Sequence, residues 1–176
     1  HLAEALSLEQ DARVRRRLRE ILLGFGARGR ESVQKLMSAA SWEVRRTAAY
    51  LLREFGGTDA LASLEPLLND SEPLVQREAI HAIILIGEDR AYEVLARSLT
   101  TGVSRTRNAL LQELTALRDN RAAQLFCYLV RNLSRRGATY GTYLASLEAL
   151  GTSQGPEVVK VLKESLYRGE WWAPLR

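Results

Sequence analysis

The chain of 176 residues holds one cysteine, Cys127, one methionine, four prolines and two histidines, one of them at position 1. A single thiol excludes an intrachain disulfide framework and a Cys-rich zinc site. His81 has no second histidine or cysteine at ligand spacing, so neither a metal site nor a histidine-based catalytic set is expected. No apolar run approaches the ~20 residues that cross a bilayer. No apolar–polar alternation marks a strand. Glu and Asp are numerous, but none stands in a signature of acid–base chemistry. Hydrophobic residues make up 46% and charged residues 26%, the balance of a soluble folded chain. A compact chain of this length buries about 70% of its unfolded surface, enough for a true core.

Net charge is +4, and it is unevenly placed: residues 1–57 hold eleven Arg or Lys against seven Asp or Glu, whereas the remainder is balanced. Such an end could attract an acidic partner, a membrane surface or nucleic acid. The lone cysteine fits a reduced, cytoplasmic setting. The opening residues carry no signal-peptide pattern. The absence of an initiator Met suggests a piece of a longer protein.

Self-similarity dominates the rest. The segments VRRRLREILLGFG (14–26), VRRTAAYLLREFG (44–56), VQREAIHAIILIG (75–87), TRNALLQELTALR (106–118) and TYGTYLASLEALG (139–151) align without gaps, at spacings of 30, 31, 31 and 33 residues. Val14, Leu18, Ile21, Leu22 and Phe25 repeat as Val44, Ala48, Leu51, Leu52 and Phe55. This is the stripe of an amphipathic helix, and Gly closes four of the five copies. A second apolar-patterned stretch follows each copy: 33–37, 60–68, 91–99, 122–130 and 158–166. Each unit therefore reads as two helices and a tight turn. One pair cannot bury its own stripes, whereas stacked pairs bury them in a continuous core.

The Val-Arg-x-x-Ala-x-x-x-Leu pattern of 44–52, the closing Phe-Gly or Ile-Gly, and Ala-x-x-x-Leu-x-x-x-Leu at 91–99 resemble HEAT repeats. The likeness is to the short bacterial type also found in phycobilin-lyase relatives. It implies an all-α, right-handed α-α superhelix, a solenoid of about five helix pairs, with repeats near 8–40, 41–70, 71–102, 103–134 and 135–168. It also implies a ladder of Arg–acid contacts between units. The later units depart from the pattern, with Thr106 and Thr139 in place of Val and Gly141 in place of a basic residue.

In this architecture the second helices line the concave face. Alignment places Arg30, Gln34, Lys35, Asp59, Asp89, Arg90, Glu93, Arg97, Arg121, Gln124 and Tyr128 there, with Val94, Leu125 and Val161 beside them. The mixture of signs around Tyr128, Arg97 and Arg121 suits a protein segment better than a phosphate backbone. The leading expectation is a non-catalytic scaffold that binds another protein and needs no cofactor. A second reading is nucleic-acid binding by a basic stripe of Arg15, Arg16, Arg45 and Arg46 on the first helices. The resemblance also admits a lyase accessory or a DNA-glycosylase relative, with Asp59 or Asp89 as carboxylate, although the groove lacks Trp.

Gly24-Phe25-Gly26-Ala27-Arg28-Gly29 spells a dinucleotide fingerprint, which requires a preceding strand. A helix precedes it here, and it aligns with the other inter-helix turns. Cys127 reads as a small buried filler. Trp171 and Trp172 close the chain as the start of a sixth repeat, as an improvised cap on the fifth pair, or as an aromatic ligand patch.

Overall fold

The computed structural model describes residues 2–102, 104–117 and 120–167, with the backbone alone at 3, 4, 7, 12 and 15. No strand occurs among the described residues. The helices are α1 (Leu2–Leu8), α2 (Ala12–Gly24), α3 (Gly26–Gln34), α4 (Trp42–Phe55), α5 (Leu61–Leu64), α6 (Pro73–Ile86), α7 (Asp89–Thr101), α8 (Ser104–Leu117), α9 (Asn120–Asn132), α10 (Tyr140–Gly151) and α11 (Pro156–Tyr167). Short 3-10 turns extend α3 (Lys35–Ser38), flank α5 (Thr58–Ala60 and Glu65–Asn69) and lead into α10 (Gly137–Thr139).

Local chemistry sets the helix ends. Asp11 caps α2 by accepting from the backbone N–H groups of Arg13 (2.7 Å) and Val14 (3.3 Å), relieving donors that have no partner inside the helix. The Ser41 hydroxyl caps α4 in the same way, from Val44. Pro73 opens α6, where its missing N–H costs nothing. Gly87 ends α6 at φ +64°, in the left-handed region. Pro66 interrupts the second helix of the second pair, and the chain around it tightens into 3-10 geometry.

The helices form five pairs, α2/α3 to α10/α11, and each packs mainly on its sequence neighbours. This is an all-α solenoid. Its core is continuous: Leu51, Leu52, Leu64, Leu68, Ile80, Ile83, Leu95, Leu99, Leu110, Leu114 and Leu125 are fully buried. A helix not expected from the repeat pattern, α1, packs against α2 and α4 and buries Leu6. The first stripe is not buried as its alignment with the second predicts. Val14, Ile21 and Phe25 are exposed, whereas Val44 and Leu51 are buried, because no described pair lies behind α2.

The GxGxxG stretch is a turn between two helices. Gly24 ends α2 and Gly26 begins α3 at φ +55°. Gly29 lies against α2, where a Cβ would collide with the Leu22 carbonyl oxygen. Its glycines serve helix reversal and close helix approach.

Candidate protein-interaction face

The second helices carry a row of side chains joined from one pair to the next. Arg30 on α3 donates to the Asp59 carboxylate (Nη1–Oδ2 3.2 Å), and Gln34 reaches the Asp59 carbonyl (3.4 Å). Arg97 on α7 pairs with Glu65 of the preceding unit at 3.1 Å. The Tyr92 hydroxyl donates to Gln124 Oε1 of α9 at 2.9 Å, and the Tyr92 and Tyr128 rings lie 6.3 Å apart. Arg131 on α9 pairs with Glu157 (2.6 Å) and Glu164 (3.5 Å) of α11. The Glu157 carboxylate raises the Arg131 guanidinium pKa above its ordinary value. Lys35, Asp89, Arg90, Glu93 and Arg121 are exposed, and Tyr128 is half-buried.

Three residues expected in this row are not on the surface. Val94 is 6% exposed, Val161 1% and Leu125 0%. Their alignment position lies on the boundary between the helix's wet face and its core stripe. Ser63 holds it half-exposed in the second unit, while apolar side chains there turn inward.

The first helices carry a second lattice. Arg19 Nη1 donates to the Tyr50 hydroxyl at 2.6 Å. Arg53 stacks over the Tyr50 ring at 4.5 Å and pairs with Glu78 at 2.9 Å. Arg77 pairs with Glu113 at 2.9 Å, and His81 Nε2 lies 3.9 Å from the same carboxylate. Arg–acid pairs thus cross into the fourth and fifth units even where the repeat pattern lapses: the first comes from Arg77, at the aligned basic position of Arg16 and Arg46, and the second from Arg131, on a second helix outside it. Thr106, which replaces Val, is buried and donates to Asn69 Oδ1 at 3.0 Å.

Arg45, expected on a basic surface stripe, is instead locked inside its own unit. Nε and Nη2 each lie 2.8 Å from an Asp70 oxygen, and the two side chains are 14% and 6% exposed. Nη1 caps the Ala39 and Ala40 carbonyls at 2.8 and 3.0 Å. The same position recurs as Gln76, which donates to the Leu68 carbonyl, and Arg107, which donates to the Gly102 carbonyl. Each satisfies carbonyls left open at the end of the preceding second helix. Hydrogen bonding to Arg45 holds the Asp70 carboxyl below the usual carboxylate range, aided by the Glu72 N–H, while burial opposes the shift. Of the other stripe residues, Arg16 pairs with Glu20 at 3.2 Å, Arg46 is exposed, and the Arg15 side chain lies outside the described residues.

The helix pairs and their ladders have a sequence counterpart: a family profile for HEAT repeats matches residues 1–72 and 30–115. The chain belongs to the HEAT-repeat family. Two crystal structures of engineered proteins from the Northeast Structural Genomics Consortium are similar to this HEAT chain. One is 19% identical, with a TM-score of 0.45, covering 94% of this chain and 93% of that one. The other is 18% identical, with a TM-score of 0.39, and this chain spans 51% of its length. No curated protein matches.

Other features of the HEAT array show little chemistry. A cavity of about 480 Å³ between the α8/α9 and α10/α11 pairs is lined by Leu114, Asn120, Ala122, Phe126, Ala149 and Gln154 among others, without an ionisable side chain among the described lining residues. Burial raises the Cys127 thiol pKa, which disfavours the reactive thiolate. No group of three or more His, Cys, Asp or Glu suited to a metal ion occurs among the described residues. No helix among them is long and apolar enough to cross a membrane. Trp171 and Trp172 lie outside the described residues.

Proposed function

We propose that this HEAT solenoid is a non-catalytic scaffold that binds another protein through its second-helix face, the concave side in this reading. The observation that carries the proposal is the linkage of Arg30 to Asp59, Arg97 to Glu65, and Tyr92 to both Gln124 and Tyr128 across successive pairs. These cross-ties hold polar and aromatic groups in fixed positions, so an incoming segment meets side chains whose ordering cost is already met. Tyr128 and Arg97 are of the residue types that concentrate binding energy, and Lys35, Asp89, Arg90 and Glu93 supply a rim of both signs around them. A phosphate backbone calls for a surplus of cations. On both faces many arginines are matched to carboxylates, which favours a protein partner.

Affinity capture with the intact chain tests this. Tyr128→Ala combined with Arg97→Ala should lose the partner retained by the parent chain, with helicity kept and a thermal midpoint that is lowered, since Tyr128 packs on the core, but stays above the assay temperature. Equal capture by both proteins refutes the role of this face.

A further inference from the structure

Two substitutions in the repeat open the space between the fourth and fifth pairs. In the third unit, Ile84 and Tyr92 are both buried, and the Tyr92 hydroxyl reaches forward to α9. The second unit holds Arg53 and Leu61 at the aligned positions. The fourth unit holds Thr115 and Ala123 there, smaller than the residues of either earlier unit. Packing changes with them. The helix α4 lies along α6, whereas α10 packs on α9 rather than on α8. Thr115 and Ala123 both line the cavity of about 480 Å³ that results, a size suited to a small molecule. Close-packed repeat interiors do not ordinarily keep such a space.

The lining divides into an apolar floor and a polar rim. Leu114, Ala122 and Phe126 are buried and form the floor. At the rim, Thr115 Oγ1 donates to the Leu111 carbonyl at 2.7 Å. Thr152 Oγ1 and Ser153 Oγ donate to the Ala149 carbonyl at 2.9 and 3.0 Å. Each hydroxyl proton is thereby engaged, so these three oxygens meet a ligand as acceptors. Asn120 and Gln154 add carboxamides, which can donate or accept. An ion entering the cleft would shed water without meeting an opposite charge among the described lining residues, which is costly. We propose that this cleft binds an uncharged small molecule of one or two rings, its apolar body against Phe126 and its N–H or O–H donors turned to Thr115, Thr152 and Ser153.

Indole and 1-methylindole test this, because the added methyl removes the one N–H donor. In proton–nitrogen correlation spectra of the intact chain, indole should give saturable shifts centred on the amides of Phe126, Ala149 and Gln154. It should bind several-fold more tightly than 1-methylindole or indole-3-carboxylate. Ala123→Leu carries the second unit's residue into the cleft and should abolish these shifts. Thr115→Ile carries the third unit's residue to an exposed rim position, so helicity should persist while indole binding weakens several-fold. Absence of saturable shifts up to the solubility limit of indole overturns the proposal. So does binding of 1-methylindole or the carboxylate as tight as that of indole, or indole binding left unchanged by both substitutions.

Discussion

Replacing Asp70 by Asn tests whether the Arg45–Asp70 pair is a buried structural tie. The pair has two parallel contacts of 2.8 Å, and its side chains are 14% and 6% exposed. Asp70 also accepts from the Glu72 N–H at 2.9 Å, so the substitution disturbs a connected group. Asn keeps the shape and part of the hydrogen bonding but leaves the Arg45 charge without its counter-ion. Removing one partner of a fully buried pair costs about 3–5 kcal/mol. With some bonds retained and slight exposure, about 2 kcal/mol is expected here at neutral pH. At about 2–4 °C per kcal/mol for a chain of this size, the thermal midpoint should fall by about 4–8 °C. Asp59→Asn is the control. Its side chain is 81% exposed in the Arg30 pair, so the loss should stay below about 1 kcal/mol.

The same pair predicts a pH dependence. The Asp70 pKa is lowered in the folded chain, so its ionised form stabilises the fold. That contribution is complete above the unfolded value, ~3.9, and is lost as pH falls through the lower folded value. The gap between the parent and Asp70→Asn should therefore be flat from about pH 7 to pH 5 and narrow below about pH 4. Urea unfolding followed by circular dichroism measures it. A gap under about 0.5 kcal/mol at neutral pH, or one that persists undiminished in acid, refutes the assignment.

Two glycines separate helix propensity from packing. Gly29→Ala places a methyl against the Leu22 carbonyl and within 3.1 Å of Phe55 Cζ, and should lose about 1–3 kcal/mol in denaturant unfolding. Gly141→Ala meets nothing within 4 Å on α10 and should gain up to about 1 kcal/mol in the same assay; a loss at this site contradicts the packing of α10. Tyr92→Phe removes the hydroxyl bond to Gln124 and should cost about 0.5–1.5 kcal/mol, with Gln124→Ala adding little more in a double-mutant cycle. Cys127 is buried with a raised thiol pKa, so disulfide-exchange labelling should follow the unfolding curve; rapid labelling of the native chain would show the site open.

Helix type, the pairing of helices and their stacking into a solenoid were legible in the linear order of residues. The i, i+4, i+7, i+8 stripe, recurring every 30 to 33 residues, specifies a helix face and a period. The same order disclosed that GxGxxG is a turn, because a helix stripe runs into it. It could not tell Gly29, pressed against a neighbouring helix, from Gly24, which meets nothing within 4 Å. Nor could it show that Arg45 is enclosed while Arg46 is exposed, or that Val94, Leu125 and Val161 turn inward. The helix α1 lay outside the repeat period altogether. A periodic pattern records only the side of a helix that meets its own partner. The flanks of that side are settled by which helix lies next to it, and only the assembled solenoid contains that neighbour.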